Sequence, residues 1–329
     1  VLPRRPLLLL AVAPAIAAAA PAPRRRGFNL IVAPGHPLGS PGAAEALARL
    51  RRTGADTVAL IPFFWQATNA DPAIVRGADM DDGELEAGIR QARAAGLRVL
   101  VKPHVWVPQS WAGAVEMADE AAWRRWFAGY AAAAETAARV AQRAGAEAFS
   151  VGTELRLTSG QPEWEGVIAR VRAVFGGALT YVAHNAAEAV RVPFWQRLDA
   201  IGVSLYPPLG ADDDEAAWAA AMRAEADALQ ALAGRSARPV WIAEIGIRSA
   251  VGAAARPWES AEERAAPPDQ ALQARVLALW WRALDRPGFA AVLVWRWFTD
   301  PQAGGPADTD FTVQGKQAER VLAELWRQP

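Results

Sequence analysis

Two glutamates carry the chemistry that this sequence is best equipped to perform. Glu154 stands in Val151-Gly-Thr-Glu-Leu155 and Glu244 in Trp241-Ile-Ala-Glu-Ile245, each directly after a short apolar run. An acid in that position is costly unless it has a partner or a task. Hydrolysis of a glycosidic bond needs such a pair: one acid protonates the departing oxygen while the other captures or stabilises the oxocarbenium-like centre. The two lie about 90 residues apart, or roughly three strand–helix units. Two blander readings stand beside this one. Glu154 could cap the next helix, and Glu244 could sit in a buried salt bridge, with Arg248 as one partner at hand.

Other chemistries have less to work with. The chain has no cysteine, which removes thiol nucleophiles, thiolate metal sites and disulfides. Its three histidines, His36, His104 and His184, lie far apart and lack the spacing of metal ligands. No Gly-x-Ser-x-Gly elbow is present. Thirty-five basic residues balance 35 acidic ones, so nothing steers the chain toward nucleic acid or an anionic membrane. A neutral oligosaccharide or polysaccharide is the partner this balance suits, and no cofactor is required. The acids of 79–82 and 212–215 read as helix starts, and Asp308 and Asp310 as loop residues.

The elements that would position the pair alternate along the chain. Eight apolar runs begin at Gly27, Thr57, Arg98, Ala148, Leu179, Ala200, Val240 and Ala291. Continuous apolar segments of this kind are what parallel strands buried on both faces look like. Helical stretches fit between them: 41–52, 82–95, 120–144, 163–175, 214–233, 268–284 and 314–326, with 186–196 short for a helix. Gly54, Gly96 and Gly145 follow three of these stretches, where a left-handed cap belongs. The first run leads into Pro34-Gly-His-Pro37, not into the glycine-rich phosphate turn of an open dinucleotide-binding sheet. With 52% hydrophobic residues and a mean hydropathy of +0.03, the pattern predicts an α/β fold: one single-domain (β/α)8 TIM barrel over residues 27–329.

In such a barrel the reactive groups sit at the C-terminal ends of the strands. Those ends offer Asn29, Phe64 and Trp65, then Lys102, His104 and Trp106, then Glu154, His184, Asn185, Tyr206, Glu244, Trp295 and Trp297. Aromatic faces that cover pyranose rings, beside amides and imidazoles that meet hydroxyls, make up a sugar cleft. Asn29, Trp65, Lys102, His104, Trp106, Asn185, Trp258, Trp295 and Trp297 are accordingly expected to bind substrate. Of the 15 tryptophans, Trp123, Trp126, Trp164, Trp195, Trp218, Trp280, Trp281 and Trp326 fall on helices and are expected to pack against the barrel. At the N-terminus, Arg4 and Arg5 precede an apolar run to Ile16 and the small residues Ala17–Ala20. That is the order of a signal peptide, placed over 1–22 and implying a periplasmic or secreted protein. The run is too short for stable insertion across a bilayer.

The motifs together resemble Glycoside Hydrolase Family 113, β-mannanases of the large clan of retaining (β/α)8-barrel glycosidases. The resemblance is carried by Val151-Gly-Thr-Glu-Leu155, Ala243-Glu-Ile-Gly-Ile-Arg-Ser249 with Pro257-Trp258, Val101-Lys-Pro-His104 and Gln314-Gly-Lys-Gln-Ala318. It implies that Glu154 is the acid/base, Glu244 the nucleophile and Tyr206 a neighbour that orients Glu244. A retaining pair should hold its carboxyl groups about 5–5.5 Å apart. Many clan members carry asparagine before the acid/base, where this chain has Thr153. Another β-glycosidase, a transglycosylase or a non-catalytic glycan-binding barrel would share the same cleft.

Overall fold

The computed structural model describes residues 24–77 and 79–327; the expected leader over 1–22 lies outside the described residues. Among them, eight parallel strands close into a barrel: β1 (Arg25–Ile31), β2 (Thr57–Leu60), β3 (Arg98–Val101), β4 (Ala148–Thr153), β5 (Ala178–Ala183), β6 (Ala200–Leu205), β7 (Val240–Ile245) and β8 (Phe289–Phe298). Each is bonded to its sequence neighbours, and β8 returns to β1. The helices are α1 (Pro41–Arg52), α2 (Asp82–Ala94), α3 (Glu120–Ala144), α4 (Trp164–Val174), α5 (Ala186–Ala189), α6 (Glu215–Ser236), α7 (Gln270–Ala283) and α8 (Gln317–Arg327). None of the described helices is long and apolar enough to cross a membrane.

Local chemistry explains where the helices begin and stop. Ser40, Asp81, Asp119, Asp214 and Asp269 each accept a first-turn backbone N–H of the helix that follows, which satisfies a donor the helix cannot pair itself. The longest helix, α3, ends on Gly145 at φ 81°, a left-handed conformation that costs a residue without Cβ little. The stretch 186–196 does not hold as one helix. It stops after four residues, and Trp195–Arg197 forms a separate 3₁₀ turn. Pro193 between them lacks the N–H that a continuous helix would need.

The core has two compartments. Between barrel and helices lie most of the large apolar side chains, with Trp126, Trp164, Trp218, Trp280 and Trp326 almost completely buried. Inside the barrel a small plug of Ala59, Ile61, Leu100, Ala148 and Leu293, flanked by Trp241 and Trp295, forms the floor below the mouth.

Two features shape that mouth. Pro62 and Pro103 interrupt the strands that enter as β2 and β3, yet the chain resumes as Phe63–Trp65 and His104–Trp106. These pair in parallel, with Val75–Arg76 antiparallel on the far side. Bonds from Lys102 N–H to the Leu60 carbonyl (2.9 Å) and from His104 N–H to the Pro62 carbonyl (3.1 Å) carry the ladder across the gap. The second feature is a loss of register near the ends of β4, β7 and β8. Opposite β1, Asn29 pairs with Trp295 and Leu30 with Trp297, which leaves Arg296 as an extra residue. An inserted residue of this kind re-aims the side chains after it.

Candidate active site

Glu244 lies near the end of β7, buried at 4% exposure, with its carboxylate held by side chains from two other strand ends. Lys102, just past β3, is fully buried and donates its ammonium to Oε1. Tyr206, just past β6, donates its hydroxyl to Oε2 at 3.1 Å. His104 brings Nε2 to 3.2 Å from Oε1 without hydrogen-bond alignment. Burial opposes the charge on Glu244, but the Lys102 ammonium and the approach of His104 outweigh it and hold the carboxyl well below its ordinary range. On Lys102 the balance runs the other way: burial lowers its pKa, and the attraction of Glu244 and Glu154 only partly restores it. The proton of this pair rests on the amine, because the carboxylate has both Lys102 and Tyr206 as donors to its charged form.

Gly246 makes room for this arrangement. A Cβ there would come within 2.8 Å of the Trp295 carbonyl and 3.2 Å of the Tyr206 ring. Behind β7, the amide of Asn29 donates to the carbonyl of Ala243 at 2.9 Å, at the point where the β6–β7 register slips. That bond braces the peptide immediately before Glu244.

Glu154 follows β4 and is aimed into the same mouth, where its charge reaches both Lys102 and Tyr206. Its backbone is left-handed at φ 54°, a conformation that costs a side-chain-bearing residue about 1–2 kcal/mol. Its N–H bonds the Val182 carbonyl at 2.7 Å, and its Oε1 lies 3.4 Å from His184 Nδ1. Burial depresses the His184 pKa, but the hydrogen bond and charge of Glu154, with help from Glu188, raise it overall. Burial and the charges of both glutamates likewise push the Tyr206 hydroxyl up, so it remains a donor.

The structure therefore brings Glu154, Glu244, Tyr206, Lys102, His104 and Trp295 together; it rejects the helix cap for Glu154, and the buried ion pair foreseen for Glu244 forms with Lys102 instead of Arg248. Glu154 caps no helix: α4 begins ten residues later, at Trp164. Arg248 bonds the carbonyls of Thr309, Ser260 and Arg264 and leaves Glu244 to Lys102. Aromatic rings rim the mouth. Trp106 is 47% exposed and lies 6.0 Å from Trp65, His104 stacks 5.9 Å from Trp295, and Trp111 packs 4.6 Å from His184. Trp258 is 49% exposed on the segment after β7.

Three expected substrate contacts need correction. Trp297 is wholly buried against Phe28 and Arg49, because the extra residue Arg296 turns it to the helix side. Asn29 is also wholly buried and acts as the brace described above. Lys102 has no exposed surface and meets Glu244. Asn185 stays half-buried just past β5, where its amide oxygen caps α5 through the Glu188 N–H. Thr153 is buried with no partner for its hydroxyl among the described residues.

Two residues of weight escaped the sequence reading of the site. His184 was visible at a strand end, but nothing in the sequence paired it with Glu154. Glu188 is buried in a short alanine-rich helix, where it accepts the Tyr181 hydroxyl at 2.8 Å and the His184 N–H at 2.7 Å. Burial raises its pKa. Its only sequence signal was an acid four residues after a strand-end histidine. Asp308 and Asp310 are more than loop acids. Asp310 forks onto Arg296, Asp308 lies 2.5 Å from the buried Lys316, and Lys316 also donates to Ser249 at 2.8 Å. This network ties the end of β8 to the segment 308–316. Among the described residues, no group of three or more potential ligands gathers as a metal site.

The sequence profile of Glycoside Hydrolase Family 113 matches residues 33–316. No curated protein matches the chain. Among solved structures, the chain is similar to the family 113 β-mannanase AaManA from Alicyclobacillus acidocaldarius in complex with ManMIm. The two share 26% identity at a TM-score of 0.82, over 93% of this chain and 98% of that one. A complex of a family 113 β-1,4-mannanase gives 25% identity and a TM-score of 0.81, over 92% and 98%. A β-glucuronidase from Ruminococcus gnavus, at 15% identity, shares the fold over half of its own length with a TM-score of 0.63.

Proposed function

The chain belongs to Glycoside Hydrolase Family 113, and from that premise we propose that it hydrolyses β-1,4-linked mannan or manno-oligosaccharides by double displacement. The single observation that carries this reading is the unlike pair of carboxylates at one barrel mouth: Glu244 buried and held as an anion by Lys102 and Tyr206, Glu154 with about a fifth of its side chain exposed. Glu244 attacks the anomeric carbon as the C1–O bond to the leaving group breaks, and Glu154 gives its proton to the departing oxygen. Water then attacks C1 and releases a proton to Glu154, and the electron pair of the ester bond returns to Glu244. Tyr206 orients Glu244 throughout. Trp106, Trp65, Trp258 and Trp295 offer the apolar faces against which sugar rings stack.

The family resemblance supports mannose over other sugars, through the β-mannanases to which the chain is similar. The leader-like order of residues 1–22 supports export to the periplasm or the medium. A panel of β-1,4-linked manno-, gluco- and xylo-oligosaccharides, with Glu244→Ala as the blank, tests the substrate. Cleavage of the manno-series with retained anomeric configuration in the first-formed product is the expected result. Inversion, or preference for another series, rejects it.

A further inference from the structure

A lysine without exposed surface, bonded to the nucleophile of a glycosidase, calls for a reason. Removing an ammonium from water costs several kcal/mol even after the protein relaxes, and a hydrocarbon side chain would fill the same space more cheaply. Lys102 gains little elsewhere. Among the described residues its Nζ hydrogen-bonds Glu244 alone, and the Trp295 ring lies 5.4 Å away. It cannot reach a sugar from a position with 0% exposure.

The groups facing Glu244 are Lys102 and His104 on the side of Oε1, Tyr206 on Oε2 and Glu154 across the mouth, with Arg296 beyond Tyr206. Oε1 is engaged by the ammonium and crowded by the imidazole. Oε2 carries one neutral donor at 3.1 Å and so keeps the freer lone pair. We propose that Lys102 is a positioning residue for both chemical steps: it tethers Oε1 so that Oε2 attacks, and it stabilises Glu244 as the carboxylate that leaves the glycosyl-enzyme. In the first step the Oε2–C1 bond forms, and Glu244 becomes a neutral ester beside a buried cation that has lost its directly bonded counter-ion and keeps only the more distant charge of Glu154. That mismatch favours the second step. As water bonds to C1, the C1–Oε2 electron pair returns to the carboxylate and the Lys102 ion pair is restored. Lys102 neither gains nor loses a proton in the cycle.

This proposal rests on Glu244 being the nucleophile but not on the identity of the sugar. Lys102→Met keeps the length and removes the charge. On a dinitrophenyl β-glycoside, whose leaving group needs no acid, the variant should lose about 10–100-fold in kcat with a fall in KM. It should also release a burst of about one dinitrophenolate per site, because glycosyl-enzyme accumulates. The acid limb of kcat/KM should move up by a pH unit or more, and Lys102→Arg should restore part of that shift. A raised KM with an unmoved acid limb would return Lys102 to substrate binding, and parallel losses without burst or shift would make it a packing residue. If Lys102→Met does not fold, the wild type still decides. Carboxyl ¹³C titration of Glu244, assigned by difference from Glu244→Gln, should find it ionised well below pH 4, and an ordinary titration overturns the proposal. That measurement needs no substrate, so a wrong sugar assignment would leave it standing.

Discussion

Glu244 and Glu154 share one barrel mouth, yet their surroundings have little in common. Glu244 lies within a strand, nearly without solvent contact, and is held by Lys102 and Tyr206. Glu154 lies just beyond its strand with a left-handed backbone, keeps about a fifth of its side chain exposed, and meets His184 at 3.4 Å. A group that must remain an anion is buried among donors, where protonation is unfavourable. A group that must give up and recover a proton each cycle keeps a path to water and a titratable neighbour. On the proposed mechanism, environment separates identical side chains into two roles.

Substitutions should expose that division, the most severe first. Glu244→Ala should abolish turnover by roughly four orders of magnitude or more on every substrate, since nothing else can capture the anomeric carbon. Glu154→Gln should cost roughly 10²–10⁴-fold on natural oligosaccharides but much less in the first step with a dinitrophenyl leaving group. Steady-state and burst kinetics on both substrate types read the difference. Equal losses on both types for the two variants would break the comparison. Tyr206→Phe removes one bond to a charged acceptor, worth about 1.5–3 kcal/mol, and should lower kcat about 10–100-fold with the fold unchanged by circular dichroism. An unaltered kcat would detach Tyr206 from the nucleophile.

The smallest effect is a titration. The His184 ring should titrate above 6.5 in the wild type and fall in Glu154→Gln, where burial is opposed by Glu188 alone; proton NMR of the ring measures both. The sign for stability follows. A folded-state value raised above the unfolded one makes the His184–Glu154 contact stabilising below about pH 6.5, and that contribution is lost as pH rises through the raised value.

The barrel was legible because strands buried on both faces need unbroken apolar runs, and each of the eight runs coincides with a barrel strand. The strand-end glutamates were legible for the related reason that an acid there needs a purpose. Side-chain direction was less legible. Simple alternation puts Trp295 and Trp297 on one face, but the extra residue Arg296 separates them, and no propensity marks such an insertion. The little sheet of 63–65, 75–76 and 104–106 is too short to show a period. Lys102 and Asn29 lie at the expected strand ends, but only barrel closure reveals that they reach Glu244 and the peptide before it instead of the cleft. Glu188 was hidden because its partners, Tyr181 and the His184 amide, come together only when β5 and α5 fold back on each other.

The twisted backbone at Glu154 sets folding against turnover at a single position. Glycine or asparagine would accept φ 54° with less strain, so the wild-type residue persists there against conformational preference. A variant library sorted only by survival on heating would drift toward those residues at position 154. It would enrich sturdy, inert barrels, and only a screen that also demands product would keep the glutamate.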